Sequence, residues 1–315
     1  MTQIRLLIVA LAVACDVSGL PDGPNDPLDG TSDTAEPDGT DPDSDTTGVD
    51  DDTDDDTEPT PVVSVCTTTT DTVDCPYTTV QVDPGFGFLS RDVHVATPNG
   101  TPPQDGWPVV LFFQGSLFSA ELSFSGERNA PFGQFELART VKSLLDAGYV
   151  VIAPEAFGNG STFWQTNIPP FSLLWSGSGD DSLMGKLFDE IDDDGLFGSV
   201  NEDALYATGI SSGGFMTSRM AVSYPGRFRA LAIHSGGYAT CSAVCLMPLS
   251  LPSDHPPTLF VHGMTDPIVP PRVMLQYKDA LDADGVTTEL LSSETEGHEW
   301  MADAVDGLPD WFALY

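Results

Sequence analysis

Ala204-Leu205-Tyr206-Ala207-Thr208-Gly209-Ile210-Ser211-Ser212-Gly213-Gly214-Phe215-Met216 is the stretch that decides the fold. Its first half is apolar and reads as a buried strand. Its second half opens a segment of helical character that ends at Tyr224-Pro225. Between the two stands Gly209-x-Ser211-x-Gly213. A strand-to-helix turn of this kind is so tight that the positions flanking the serine need almost no side chain. The strain leaves Ser211 Oγ exposed above a sheet, and the helix N-terminus beneath it favours negative charge nearby. An ordinary glycine turn is the bland alternative, but the strand before it and the helix after it are the context that a nucleophile elbow requires.

Outward from the elbow, strands alternate with helices. Trp107-Pro108-Val109-Val110-Leu111-Phe112-Phe113 is a continuous apolar run, as expected of a central strand buried on both faces, and it ends at Gln114-Gly115-Ser116. Residues 132–147 have helical spacing, with Phe135, Ala138, Val141 and Leu145 on one side and a stop at Gly148. Tyr149-Val150-Val151-Ile152-Ala153-Pro154, Ala230-Leu231-Ala232-Ile233 and Thr258-Leu259-Phe260-Val261-His262 supply further buried strands. A helix over 272–283 and a strand over 287–291 follow. The alternation predicts an α/β fold, a doubly wound and mainly parallel sheet with helices on both faces. Residues 62–95 read as short strands joined by Pro and Gly turns.

The segment 157–179 breaks the rhythm. It carries Phe157, Phe163, Trp164, Phe171 and Trp175 among Gly, Ser and Pro. A loop of this length inside a compact domain is usually functional, and we expect Phe163, Trp164 and Trp175, with Trp300, to contact substrate. The alternative is a loop packed on the core by its own aromatics. A helix over 180–191 follows, acidic at its positive end. Glu190-Ile191-Asp192-Asp193-Asp194-Gly195 partly fits a calcium loop, but glutamate stands first and Asn201 occupies the twelfth position, so a solvated acidic turn is the preferred reading.

The N-terminal part is a different polymer. Residues 1–14 read as a lipoprotein-type signal peptide, with Arg5 at its positive end and an apolar run too short to span a bilayer. Leu11-Ala12-Val13-Ala14-Cys15 resembles a bacterial lipobox, although Ala12 stands where a larger aliphatic residue is usual. An ordinary secretory signal cut near Ala14 is the alternative. Residues 15–61 contain seventeen Asp or Glu and no Lys or Arg. Such a chain cannot bury enough apolar surface to offset its ordering entropy, which predicts a disordered acidic tether. Residues 62–315 then form the folded domain, with thirty-one acidic against ten basic residues. A formal charge of −37 over 315 residues argues against a nucleic-acid partner.

Besides Cys15, four cysteines remain, and in an exported chain an even count favours disulfides. Of three possible pairings the local one is preferred, Cys66–Cys75 and Cys241–Cys245. Zinc is the other reading of Cys-x3-Cys, but no paired Cys or His ligands stand out elsewhere to complete a tetrahedron. No metal or cofactor site is predicted.

A serine needs a base within reach, itself oriented by an acid, and in the elbow arrangement the chain order is serine, acid, histidine. That order excludes His94 and leaves His234, His255, His262 and His298. Asp266 emerges at the C-terminal end of the 258–262 strand. His298 lies thirty-two residues later, and the intervening helix and strand return it to the same sheet edge. The oxyanion of a tetrahedral intermediate needs two N–H donors, expected from Ser212 and Ser116.

Thr208-Gly209-Ile210-Ser211-Ser212-Gly213-Gly214, His262-Gly263-x-x-Asp266-x-x-Val269-Pro270 and Gly297-His298-Glu299-Trp300 together resemble secreted esterases of the polyhydroxybutyrate depolymerase and feruloyl esterase group. The resemblance covers 109–300. It implies an α/β-hydrolase fold and metal-free ester hydrolysis, with Ser211 as nucleophile, Asp266 as acid and His298 as base. One departure is that the family usually has His-Gly where this chain has Gln114-Gly115. The reading is a lipid-anchored, extracytoplasmic serine esterase of the bacterial cell envelope. It would act on small or polymeric esters and touch the membrane through its anchor alone. Two others stand beside it: a non-catalytic binding or cation-binding lipoprotein on a hydrolase fold, and a serine peptidase.

Cys15→Ser is expected to move the protein from the membrane to the soluble fraction. Intact-mass analysis that finds an unmodified mature N-terminus in the native host would rule out lipidation.

Overall fold

The computed structural model describes residues 65–315 apart from 86, 158–161, 194, 242–246 and 249. The signal, Cys15, the acidic tether, Asp194 and Cys245 therefore lie outside the described residues. In chain order come β1 (Thr67–Thr68), β2 (Thr72–Asp74), β3 (Thr78–Val82), β4 (Arg91–Ala96), β5 (Trp107–Phe113), β6 (Ser125–Glu127), α1 (Gln134–Asp146) and β7 (Val150–Pro154). There follow α2 (Gly179–Asp192), β8 (Val200–Ile210), α3 (Ser212–Ser223), β9 (Ala230–His234), β10 (Thr258–Gly263), α4 (Pro271–Ala283), β11 (Thr288–Ser293) and α5 (Ala304–Phe312).

Eight strands form one sheet in the order β11-β10-β9-β8-β5-β7-β4-β3. From β7 to β11 every pairing is parallel, and β4 joins β7 and β3 antiparallel. The central strands are buried because both faces are covered, and period two divides their side chains. Val110 and Phe112 face a core shared with Phe135, Val141 and Leu144 of α1 and Leu308 and Trp311 of α5. Val109, Leu111 and Phe113 face the other way, onto Leu183 and Leu187 of α2 and Met216 and Met220 of α3. Beyond them Phe260 and Ile233 pack on Met274, Tyr277 and Leu281 of α4. This is the expected doubly wound, mainly parallel sheet. α5 is the helix that sequence periodicity did not single out; it holds Pro309 and is only nine residues long.

A second sheet, β1-β2-β6, is small and antiparallel. Cys66 and Cys75 close it with the expected disulfide. Cys241 is also disulfide-bonded. The acidic turn after α2 uses its carboxylates locally: Glu190 Oε2 accepts the Leu196 N–H at 3.3 Å, and Asp192 pairs with Arg227. The two acids that open α2 have separate roles. Asp181 N is capped by Ser178 Oγ at 3.1 Å. Asp180 is fully buried and pairs with Arg91 of β4, equally buried.

Candidate active site

The elbow is built by the close approach of β5 to the end of β8. A Cβ at Gly209 would lie 2.5 Å from the Phe113 carbonyl oxygen, and one at Gly213 would lie 2.0 Å from the same atom. No side chain fits at either position, which is the physical reason for glycine on both sides of the serine. Ser211 itself sits at φ 59° and ψ −119°, a conformation that L residues rarely adopt and that the surrounding structure must hold. Its N–H donates to the His234 carbonyl at 3.0 Å, which ties the elbow to the end of β9. Ser212 begins α3, where first-turn N–H groups have no partner within the helix.

Asp266 lies on the loop after β10 and is held from four directions. Its Oδ1 accepts the N–H groups of Ile268 at 2.8 Å and Val269 at 2.9 Å. Its Oδ2 accepts from His298 Nδ1 at 2.7 Å, and His262 Nε2 stands 3.5 Å away. Burial alone would push this carboxyl up; the contacts from His262 and His298 and the Val269 N–H outweigh it and hold the group well below the ordinary carboxylate range. Because a carboxylate only accepts, the His298 proton sits on Nδ1, and Nε2 is the nitrogen left to act as base. His298 is brought there by a second close approach. A Cβ at Gly263 would fall 2.4 Å from the carbonyl oxygens of Glu296 and Gly297, so the His-Gly pair lets the histidine loop cross the aspartate loop. Thr265 Oγ1 donates to Glu296 O at 2.7 Å and fixes the crossing.

His234 joins the halves of the site. Its carbonyl holds Ser211, and its Nε2 accepts the N–H of Met301, three residues after His298, at 3.2 Å. Burial, reinforced by His262 and His298, lowers its pKa to about 3, so the ring is neutral. Chain order left it among the candidate bases, but no sequence signal marked the role it has, because that role runs through a backbone oxygen and a distant amide. Asp266 and His298 are thus in contact. Ser211 Oγ makes no hydrogen bond to either among the described residues, a looseness common before substrate binds.

The loop 114–118 is the other wall. Gln114, buried, donates from Nε2 to Phe118 O and accepts the Ala156 N–H on Oε1 at 3.2 Å. Glu155, next to Ala156, accepts from Ser119 Oγ and from the Ala120 N–H at 2.9 Å. Both ends of the loop are therefore pinned to the end of β7. Gly115 sits against Ile210 and Ser211, with 3.8 Å between its Cβ position and that of Ser211. Ser116 is half-buried between the pinned ends.

Three expected substrate contacts are corrected. Trp164 and Trp300 are fully buried and Trp175 nearly so. Trp300 stacks on Phe112 with ring centres 5.1 Å apart, and its Nε1 donates to Thr140 Oγ1 at 2.8 Å. Trp175 lies under the Arg219 guanidinium, 5.2 Å from the ring centre. Their ring area is spent on the core. Phe163 is exposed, as are Leu117, Phe132 and Ile268.

A parallel sheet in this strand order, a strained serine between strand and helix, and an Asp–His pair at the same sheet edge define an α/β hydrolase. An α/β hydrolase from a deep-sea metagenome library of the Medee basin superposes with a TM-score of 0.50 at 16% identity, over 76% of this chain and 94% of that one. Residues 237–313 match the model of the prolyl oligopeptidase family. The chain is 47% identical over 241 residues to the poly(3-hydroxyoctanoate) depolymerase of Pseudomonas fluorescens, covering 76% of this chain and 85% of that enzyme. It is 33% identical over 145 residues to feruloyl esterase B of Thermothelomyces thermophilus, 43% of this chain and 41% of that one. The chain belongs to the family of the poly(3-hydroxyoctanoate) depolymerase and is a carboxylic ester hydrolase.

The His234 shift has a consequence for stability. Unfolded, the ring takes up a proton near pH 6.5; folded, it does so only near pH 3. Between those values the unfolded chain binds the extra proton, so stability falls as pH falls. His234→Gln, which keeps an acceptor for Met301, is expected to flatten that slope by up to about 1.4 kcal/mol per pH unit. Parallel stability curves for parent and variant from pH 6.5 to 3 would refute it.

Proposed function

We propose that this chain is a serine esterase in which Ser211, Asp266 and His298 act through an acyl-enzyme, and that it cleaves polyesters of hydroxy acids with apolar side chains. The observation that carries the reading is the 2.7 Å contact between Asp266 Oδ2 and His298 Nδ1 at the sheet edge where the strained Ser211 emerges. In the first half-reaction Ser211 Oγ attacks the ester carbonyl and its proton passes to His298 Nε2. The oxyanion lies between the N–H groups of Ser212 and Ser116. Collapse breaks the ester C–O bond, and His298 returns the proton to the departing alkoxide. Water, deprotonated by the same nitrogen, then releases the acid. Asp266 stays ionised and stabilises the transient imidazolium.

Three features support the substrate class. The depolymerase likeness spans three quarters of the chain, whereas the peptidase-family match is confined to 237–313. Leu117, Phe132, Phe163 and Ile268 expose apolar surface on the segments that border the site. The folded part is strongly acidic, which disfavours anionic substrates. The motif ending at Cys15 supports an extracytoplasmic, lipid-anchored placement.

Ser211→Ala is expected to lose about 10³-fold or more in kcat, His298→Ala a similar amount and Asp266→Ala somewhat less. A fluorophosphonate should label Ser211 in the parent; labelling elsewhere, or full activity in Ser211→Ala, would falsify the assignment. For the substrate class, Phe163→Ser with Ile268→Ser is expected to slow release from a poly(3-hydroxyoctanoate) film about tenfold, while a soluble short-chain ester is cleaved within about twofold of the parent rate. Equal losses on both substrates would remove the rim from the argument.

A further inference from the structure

The corrected position of Trp164 raises the question of what a fully buried tryptophan does in the middle of a loop. Its indole Nε1–H donates to the Gln114 carbonyl at 3.1 Å, and its backbone N–H donates to Ser212 Oγ at 2.9 Å. Two residues earlier, the Thr162 carbonyl accepts the Leu117 N–H at 2.7 Å. Gln114 and Leu117 bracket Gly115 and Ser116, and Ser212 begins α3. Residues 162–165 thus touch both sides of the place where an oxyanion would sit, on segments almost a hundred positions apart in sequence.

The strap is itself fixed. The Trp164 ring packs edge-on against Phe113, the last residue of β5, with ring centres 5.2 Å apart. The Gln165 N–H donates to Asp180 Oδ2, and the other oxygen of Asp180 is paired with Arg91. Thr166 Oγ1 donates to Ala239 O at 3.1 Å and accepts from Arg219 Nε at 3.0 Å. Arg91, Asp180 and Arg219 are all buried, so these ties are shielded from water. Leu117 is held at φ 69°, a conformation that a leucine keeps only under restraint, and the Thr162 carbonyl is one of the restraints.

We propose that Trp164 is a positioning residue for catalysis: the strap 162–165 sets the separation between the N–H groups of Ser116 and Ser212 before substrate arrives. The inference rests on the reading of those two groups as the oxyanion donors. Preorganised donors matter because the transition state gains from them only if they need not move. A small misplacement costs rate and leaves ground-state binding nearly untouched.

The test uses Trp164→Phe, which keeps an aromatic ring and removes the indole N–H, and Ser212→Ala, which removes the acceptor of the backbone tie and leaves the Ser212-position N–H in place. Each is assayed on a soluble neutral ester, with kcat expressed per site titrated by a fluorophosphonate. Each is also assayed for inhibition by a trifluoromethyl ketone analogue, whose hemiketal oxyanion occupies the hole. Trp164→Phe is expected to lose about 30-fold in kcat with KM within about threefold, and to bind the ketone weaker by a similar factor. Ser212→Ala is expected to move the same two readouts by about fivefold. A kcat per titrated site within twofold of the parent in Trp164→Phe, a loss carried by KM, or a kcat loss with unchanged ketone affinity would each overturn the proposal. If Trp164→Phe does not fold, Ser212→Ala decides alone, and parent-like kcat and ketone affinity there overturn it. Failure of fluorophosphonate to label Ser211 in the parent would instead overturn the serine mechanism itself.

Discussion

The Phe113 carbonyl oxygen occupies the space where side chains at 209 and 213 would be. The serine side of the site depends on that approach. It brings the end of β5 against the elbow, forces glycine on both sides of Ser211 and leaves the serine in a conformation it would not choose. It also brings Gln114 and Gly115, which follow β5 directly, against the elbow: a Cβ at Gly213 would lie 2.6 Å from the Gln114 carbonyl oxygen, and Gly115 sits against Ser211. Strain at residue 211 is tolerable because the pieces around it are rigid: β5, β9 and β8 from Ala204 onward are buried on both faces, and α1, α2 and α3 are clamped to them by apolar contacts.

Asp266 and His298 are brought together by a second approach of the same kind. Gly263 lets the backbone of Glu296 and Gly297 pass over the start of the aspartate loop. Asp266 then spends one oxygen on its own loop and presents the other to His298. Two further histidines complete the frame. His262 donates to the Val269 carbonyl at 2.8 Å beside the carboxylate, and His234 bridges the serine and the chain beyond His298. Keeping His234 neutral matters electrostatically. A charged ring there would be disfavoured both by its burial and by the neighbouring His262 and His298.

The fold and the Asp–His pair were legible in the sequence because their causes are local. Continuous apolar runs marked β5, β7, β9 and β10, and Gly-x-Ser-x-Gly marked the elbow between a strand and a helix. The spacing from Asp266 to His298 left room for one helix and one strand, which are α4 and β11. The misreadings also have a physical cause. An aromatic residue among Gly, Ser and Pro looks the same in sequence whether it points outward to substrate or inward to the core, and only the path of the loop decides. Phe163 and Trp164 are neighbours, and one is exposed while the other is fully buried. His234 was passed over for a similar reason, since nothing local tells that its ring will meet an amide 67 positions away.

The inward turn of the tryptophans shifts the burden of recognition. With Trp164, Trp175 and Trp300 committed to the core, the exposed apolar side chains among the described residues beside the site include Leu117, Phe132, Phe163 and Ile268, each on a different connecting segment. Three of these four segments are pinned by hydrogen bonds: Leu117 by the Thr162 carbonyl, Ile268 by Asp266 Oδ1, and Phe132 through its carbonyl to the Trp300 N–H at 2.9 Å. These bonds therefore tie the apolar rim to the loops around Ser211, Asp266 and His298. Under the proposed mechanism substrate contact and catalytic alignment would not be separable layers, because Leu117 and Ser116 share one loop.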